Sequence, residues 1–379
     1  MENRTAERSP GLDLARTLAI AGVLCAHFSI FLTQLDISSD QLVPLYIVWG
    51  GYYGVELFFV LSGYLIGGIL IRDVLPMPSP RRLTVFCMRR WLRTLPAYYT
   101  VLVCFIFYGA WKGGIPEDIW KYFVFFQNAP PEHANFFPVS WSLSIEEWSY
   151  IFILVLLFFP FGWGRPSAGN ATSGTRLILK LVAGILFFLL LRIWVALTAG
   201  PVMWDDMFRK QVFLRLDAIL YGMLAFAIKT YYPQLFKKVH VFKVFGLCLV
   251  LLQVVAWIYA ISEPGGNLFI KSFAFSIVSA LMAIALCFFD ANPHVRKWCA
   301  PDTLLGRFSL WGSKLAYSLY LVHHNLFGCV AALFSSYLGN KCGVFWVGGI
   351  AVLASIALGF GLYTFIEKPG MNLRRHFVF

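Results

Sequence analysis

The sequence predicts an all-α fold: a polytopic integral membrane protein of about ten transmembrane helices, with both termini cytoplasmic. Three observations carry that expectation. Hydrophobic residues make up 59% of the 379 and charged residues only 13%, against roughly 45–50% and about 25% in a soluble domain. The apolar residues gather in blocks of about 20, long enough to cross a bilayer as helix. The basic residues, which give a net charge of +12, lie in short segments between those blocks. The composition excludes an ordinary soluble globule, and so much apolar surface excludes a disordered chain. A nucleic-acid binder would concentrate its basic excess on one polar face or tail, so no nucleic-acid partner is expected.

The blocks fall at about 12–33, 43–71, 94–111, 138–161, 178–199, 210–229, 241–262, 267–289, 312–337 and 343–366. The first holds Arg16 and His27 and ends in no convincing cleavage site, so it reads as an uncleaved span rather than a signal peptide. The second is long and contains Gly50, Gly51, Gly54 and Gly63, which suggests a tilted or broken helix. The third follows a basic run from Met88 to Pro96. Two carboxylates, Glu146 and Glu147, sit near the start of the fourth, and Arg192 lies inside the fifth. The sixth opens on Arg215-Leu216-Asp217. The seventh and eighth carry Lys243 and Lys271 near their starts and include Cys248 and Cys287, read like most of the eight cysteines as small buried apolar residues. The ninth carries Tyr317 through Asn325, and the tenth runs into Phe365-Ile366-Glu367-Lys368-Pro369. With the N-terminus inside, 22 basic residues fall on its side of the membrane, 7 on the other, and 2 within spans. That bias sets the orientation.

Ionisable groups inside a membrane are functional candidates by default. Arg16 and His27 are eleven residues apart, which places them on one helix face about 16 Å apart along the axis, with Ile20 and Val23 between. The pair reads either as an anion anchor and a titratable imidazole, or as a snorkelling arginine and a packing histidine. Glu56 shares a face with Val60, Gly63 and Gly67, where glycines permit close helix approach; it is there either for function or as one half of a buried ion pair. Arg90 and Arg93 are one turn apart if helical, and both forks suit phosphate; topology-setting charge is the plainer reading. Ser140-Trp141-Ser142-Leu143-Ser144-Ile145-Glu146-Glu147-Trp148 forms an amphipathic mouth, expected at the outer side level with Asp217. On the ninth span Tyr317, Tyr320 and His324 are helical neighbours, while His323 points about 100° away from His324. Together these residues suggest cations at the cytoplasmic edge, a histidine deeper in, and carboxylates outside. Such a gradient suits a phosphate-bearing donor entering from within and a hydroxylic acceptor from without.

At these residues the chain resembles acyltransferase family three, the integral-membrane O-acyltransferases of bacterial surface glycans and secreted glycosides. The resemblance spans residues 11–370 of a single expected domain, 1–379. It rests on seven stretches in order: Gly11-Leu12-Asp13 through Arg16 and His27, then GVELFFVLSGYLI, RRWLRTLPAYY, SWSLSIEEWSY, RLDAILYG, AYSLYLVHH and Phe365–Pro369. Trp148 and Ser149 depart from the Gln or His followed by Phe that the family usually places after its double Glu. The resemblance implies acyl-CoA, usually acetyl-CoA, as co-substrate, with no permanently bound cofactor and no metal. It implies transfer to a hydroxyl of a carbohydrate or glycoside, residence in the inner (cytoplasmic) membrane as a multi-pass protein, and here no appended soluble domain. His27 would be catalytic, with Arg16 and Glu146; Arg16, Arg89, Arg90 and Arg93 would bind the donor. Glu56, Ser142, Glu147, Trp141, Asp217, Tyr320 and His323 are the acceptor-side or supporting candidates. A secondary transporter of a small polar or anionic solute is the alternative, although only one Gly-interrupted block appears, without the counterpart that repeated halves would supply. Oligomeric state is not fixed by these features.

Overall fold

A computed structural model describes residues 9–34, 45–129, 136–158, 171–200, 204–237, 241–260, 267–337 and 344–379. The main helices are α1 (Pro10–Gln34), α2 (Leu45–Ile69), α3 (Pro80–Lys112), α4 (Trp141–Phe158), α5 (Ala171–Thr198), α6 (Asp217–Tyr231), α7 (Val241–Ala260), α8 (Ala274–Ala291), α9 (Leu304–Tyr337) and α10 (Val344–Leu362). Among the described residues no strand occurs. Among those same residues eight helical stretches are long and apolar enough to cross a membrane, and Lys243–Tyr259 is apolar but shorter. The chain is an all-helical, multi-pass membrane protein. In hydrocarbon every backbone polar group must be satisfied within the helix, and that requirement, more than side-chain propensity, makes these apolar blocks helical.

Several boundaries differ from the expected ones. The expected third span, 94–111, is the second half of a helix of 33 residues. Ser79 caps its start by accepting from the Arg82 amide, Pro80 occupies the first turn, and the helix continues through Pro96. The arginine run therefore lies on helical turns rather than in a loop. α5 and α9 likewise begin seven or eight residues before the expected spans. The block at 210–229 is not one helix: a wide turn, Asp205–Arg209, and a 3-10 turn, Val212–Leu214, precede a helix of 15 residues. Apolarity marks what is buried in membrane or protein, not where helix starts, so 212–216 counted as span. The ends expected at 43, 161, 262 and 343 lie outside the described residues.

α1 packs against α2 and α9, and α2 packs in turn against α6 and α8. α1 and α9 run parallel: Thr17 Oγ1 donates to the Ser309 carbonyl at 2.8 Å near one end, and His27 meets His323 near the other. α2 and α6 cross on glycine. A Cβ at Gly63 would stand 1.9 Å from the Ile219 carbonyl oxygen, and one at Gly222 would stand 1.9 Å from that of Val60. Between apolar helices in lipid, such backbone proximity supplies the packing energy that the hydrophobic effect does not. After α10 the chain turns through Tyr363–Glu367 and a short helix, Lys368–Leu373, back onto α3.

Candidate functional site

Arg16 and His27 both reach α9, as residues on one face of α1 must. Arg16 Nη1 donates to Ser313 Oγ at 3.1 Å, and Ser313 Oγ donates to Asp13 Oδ1 at 2.7 Å. Ile20 and Val23 are buried between them. At the other end His27 Nδ1 lies 2.6 Å from His323 Nε2, and the His324 ring stands edge-on to His27 at 5.0 Å. His323, placed by sequence only among supporting candidates, is completely buried.

Hydrogen-bond chemistry assigns the protons of this pair. His323 Nδ1 lies 3.0 Å from the Leu319 carbonyl and 2.9 Å from that of Tyr320. Carbonyl oxygens only accept, so Nδ1 carries hydrogen and, in a neutral ring, Nε2 is a lone pair. His27 Nδ1 faces that lone pair and must donate to it. The remaining nitrogen of His27, Nε2, is then a proton acceptor. One turn of α9 backbone thus fixes the tautomer of a histidine on another helix, which is how an imidazole is held ready as a base.

The arginines line one cavity of about 170 Å³. Its walls include Arg16, Arg89, Arg90, Arg93 and Arg374, a single carboxylate, Glu146, and apolar side chains of α2 such as Phe59, Leu65 and Ile66. Arg93 makes no hydrogen bond or ion pair with any described residue, and Arg90 Nε is buried without a partner. Guanidinium N–H groups left without acceptors at a cavity wall suit an anion.

Glu146 corrects the expected gradient. It does not sit at an outer mouth beside Asp217 but pairs with Arg90, and its Oε1 also accepts from Tyr150 and from Ser62 Oγ at 2.6 Å. Arg90 additionally lies over the Tyr150 ring, 3.7 Å from its centroid. The reason is the early start of α3, which carries its arginines alongside α4. Glu147 points the other way and is buried beside Thr94, whose Oγ1 donates to it at 3.3 Å. Neither carboxylate touches a histidine.

His27 is not among the residues lining the cavity. Ser142 and Tyr320 do line it, and their hydroxyls meet at 2.6 Å. The Tyr320 ring is 5.8 Å from that of His323. A pair of hydroxyls therefore stands between the arginine chamber and the histidine pair.

Two supporting candidates lie in buried ion pairs elsewhere. Glu56 pairs with Arg215 and accepts from Ser279 Oγ at 3.2 Å. Asp217 receives both arms of Arg192 at 2.7 Å each, and Arg192 also donates to Ser276 and to the carbonyls of Leu214 and Ser272. Arg192 is fully buried. Trp141 instead borders the histidine end, where Arg209 stacks over its ring at 4.7 Å. Arg209 belongs to a turn with Asp205, Asp206 and Lys210, and Asp205 accepts from both cations. Burial alone would raise the Asp205 carboxyl, but Arg209 and Lys210 outweigh it and hold it at about 2. Among the described residues no cluster of three His, Cys, Asp or Glu could hold a metal.

Sequence reasoning missed Arg209, Arg374 and the proximity of His324 to His27. Arg374 had no distinguishing signal, since a basic residue just past the last span is also what topology requires. The departure at Trp148 and Ser149 is accommodated locally: Trp148 Nε1 donates to the Phe125 carbonyl at 2.9 Å, and Ser149 Oγ donates to that of Ile145 at 2.7 Å. Phe125 has a left-handed backbone, φ +57°, and the indole secures that turn.

A match to the acyltransferase domain family covers residues 9–364. A protein of Staphylococcus aureus (strain COL), named as a candidate O-acetyltransferase, is 31% identical over 170 residues, which is 39% of this chain and 24% of that protein. The peptidoglycan O-acetyltransferase OatA of Listeria monocytogenes (serovar 1/2a) is 27% identical over 208 residues, 51% of this chain and 29% of that protein. The matches thus span about a quarter of these relatives' length. No solved structure matches the chain.

Proposed function

Because the chain belongs to the acyltransferase domain family, we propose that it is a membrane O-acyltransferase, moving an acyl group, most simply acetyl, from acyl-CoA to a hydroxyl of a sugar or glycan. The observation that carries this is the arginine chamber, with Arg93 hydrogen-bonded to no described residue, ending one hydroxyl pair short of a histidine whose Nε2 is an acceptor. Arg16, Arg89, Arg90 and Arg93 face the donor's phosphates, and the pantetheine arm extends toward Ser142 and Tyr320. The acceptor arrives from the opposite end, past Trp141 and the turn at Asp205–Lys210. The names of both relatives support acetyl as the group, and that of the Listeria monocytogenes protein, a peptidoglycan O-acetyltransferase, supports a glycan as the acceptor class. The positive bias supports a cytoplasmic-membrane protein with the Arg16 end inside.

His27 Nε2 takes the proton of the acceptor hydroxyl as its oxygen attacks the thioester carbonyl carbon. The C–S bond breaks, the thiolate leaves, and the imidazolium returns the proton to it, giving ester and free CoA. His323 holds the Nδ1–H of His27 throughout. Keeping the thioester behind Ser142 and Tyr320 until an acceptor is present limits hydrolysis.

The test is thiol release from acetyl-CoA by the purified protein with candidate glycans, followed by mass analysis of the glycan. Acceptor-dependent thiol release with an acetylated product is expected. Absence of both with every acceptor, alongside uptake of a small solute into vesicles, would replace the reading with transport. A trapped acyl-His27 would replace direct attack with a two-step route.

A further inference from the structure

At its Arg16 end the chamber is closed by the segment that follows α10, to which neither the histidine pair nor the α3 arginines give a role. Arg374 and Phe379 both line the cavity. The segment is held on α3 at several points. A Cβ on Gly370 would lie 2.7 Å from the Leu92 carbonyl oxygen, Arg89 Nη1 donates to the Phe377 carbonyl at 2.7 Å, and the Arg89 guanidinium stands 5.5 Å from the Phe379 ring centroid. Arg374 is half-buried and spends only Nε, on the Met371 carbonyl at 3.2 Å. Its neighbour Arg375, which topology would require equally, is exposed and does not line the cavity.

Charge and size point the same way. Along the lining five arginines stand with one acidic side chain, Glu146, and cations predominate even with Glu367 in electrostatic reach of Arg93, Arg16 and Arg374. Such a wall suits a carrier with several phosphate charges. The cavity of about 170 Å³ is smaller than the roughly 300–1,000 Å³ usual for small-molecule sites. It accommodates a narrow arm and leaves the nucleotide at the mouth. In the same lining the chain presents a cation, Arg374, and an aromatic ring, Phe379, the combination that binds a phosphorylated base by ion pairing and stacking.

We propose that Arg374 and Phe379 form the outer wall of the donor site and hold the nucleotide end of acyl-CoA, Arg374 on a phosphate and Phe379 on the base. This rests on the donor-site reading of the chamber. The test is equilibrium binding of radiolabelled acetyl-CoA to the full chain in nanodiscs, with Arg93→Ala as the variant that probes that reading by itself. Arg374→Ala is expected to weaken binding about tenfold, as for one charge-assisted contact. Arg374→Lys should recover part of the loss, and Phe379→Ala should weaken binding about threefold. Arg375→Ala should bind like the wild type. Pantetheine, used as competitor, should bind all variants equally, which a folding defect would not permit. Wild-type affinity in Arg374→Ala and Phe379→Ala, with affinity lost in Arg93→Ala, overturns the proposal and leaves the donor site standing. Failure of the wild type to bind acetyl-CoA removes both. If Arg374→Ala does not fold, unchanged affinity in Arg374→Lys and Phe379→Ala overturns the proposal equally.

Discussion

His27 is the residue on which the proposed chemistry turns, and its surroundings divide its role from that of its partner. His27→Ala should lower acceptor-dependent thiol release by at least about 100-fold while acetyl-CoA binding stays as in the wild type; retained transfer would remove it from the mechanism. His323→Phe keeps a ring at 323 but removes the lone pair that receives the His27 Nδ1–H. It should lower kcat roughly 100-fold with donor KM unchanged, and a change confined to KM would contradict the tautomer assignment. The face shared by Arg16 and His27 was legible in the sequence because helical periodicity alone sets it. The His323 contact was not, since periodicity on α9 gives no rotation relative to α1. Glu56 was legible as a carboxylate in need of a partner and Asp217 only as an acid at the expected outer level; their partners Arg215 and Arg192, distant in sequence, could be named only from the packed structure. Glu56→Gln should cost about 3–5 kcal/mol, because it strands Arg215 in the interior; thermal unfolding in detergent measures this.

Among the elements, the crossing of α2 and α6 sets the frame that holds Arg215 against Glu56. Gly63→Ala should destabilise by about 1–3 kcal/mol through overpacking, whereas Gly349→Ala on α10, where a Cβ meets nothing within 4 Å, should be neutral or slightly stabilising. Melting temperatures of the two variants in one detergent make the comparison. The glycines were visible as a sign of close approach; which helix approaches was not, because α6 is short and follows two irregular turns. The turn at Asp205–Lys210 carries its own pH signature. With the Asp205 carboxyl held at about 2 against about 3.9 unfolded, its contribution to local stability is complete above pH 4 and is lost as pH falls through 2. The protection factors of this turn, taken against intrinsic exchange at each pH, should therefore fall between pH 4 and 2, and less so in Asp205→Asn.

For the whole molecule, apolar blocks gave the fold class readily, because a bilayer imposes length and composition on whatever crosses it. They gave helix starts poorly: α3 begins at a polar cap, Ser79, and runs through charged turns before becoming apolar. The sign of the flanking charges gives the expected orientation. In a background without native cysteines, Arg375→Cys should react with a membrane-impermeant maleimide only after cells are opened, and Lys112→Cys should react in intact cells. The reverse pattern would invert the direction of transfer.

The contact between Ser142 and Tyr320 has a consequence for how tightly the two halves of the reaction are insulated. A hydrogen bond contributes a net of only about 0.5–1.5 kcal/mol, so this door is latched rather than bolted. A bond that weak can be exchanged for one to an incoming acceptor hydroxyl, so the proposed reaction needs no large rearrangement to open it. In the proposed reaction the latch would govern the idle loss of thioester to water: removing it, as in Tyr320→Phe, should leave transfer in place and raise acceptor-independent thiol release.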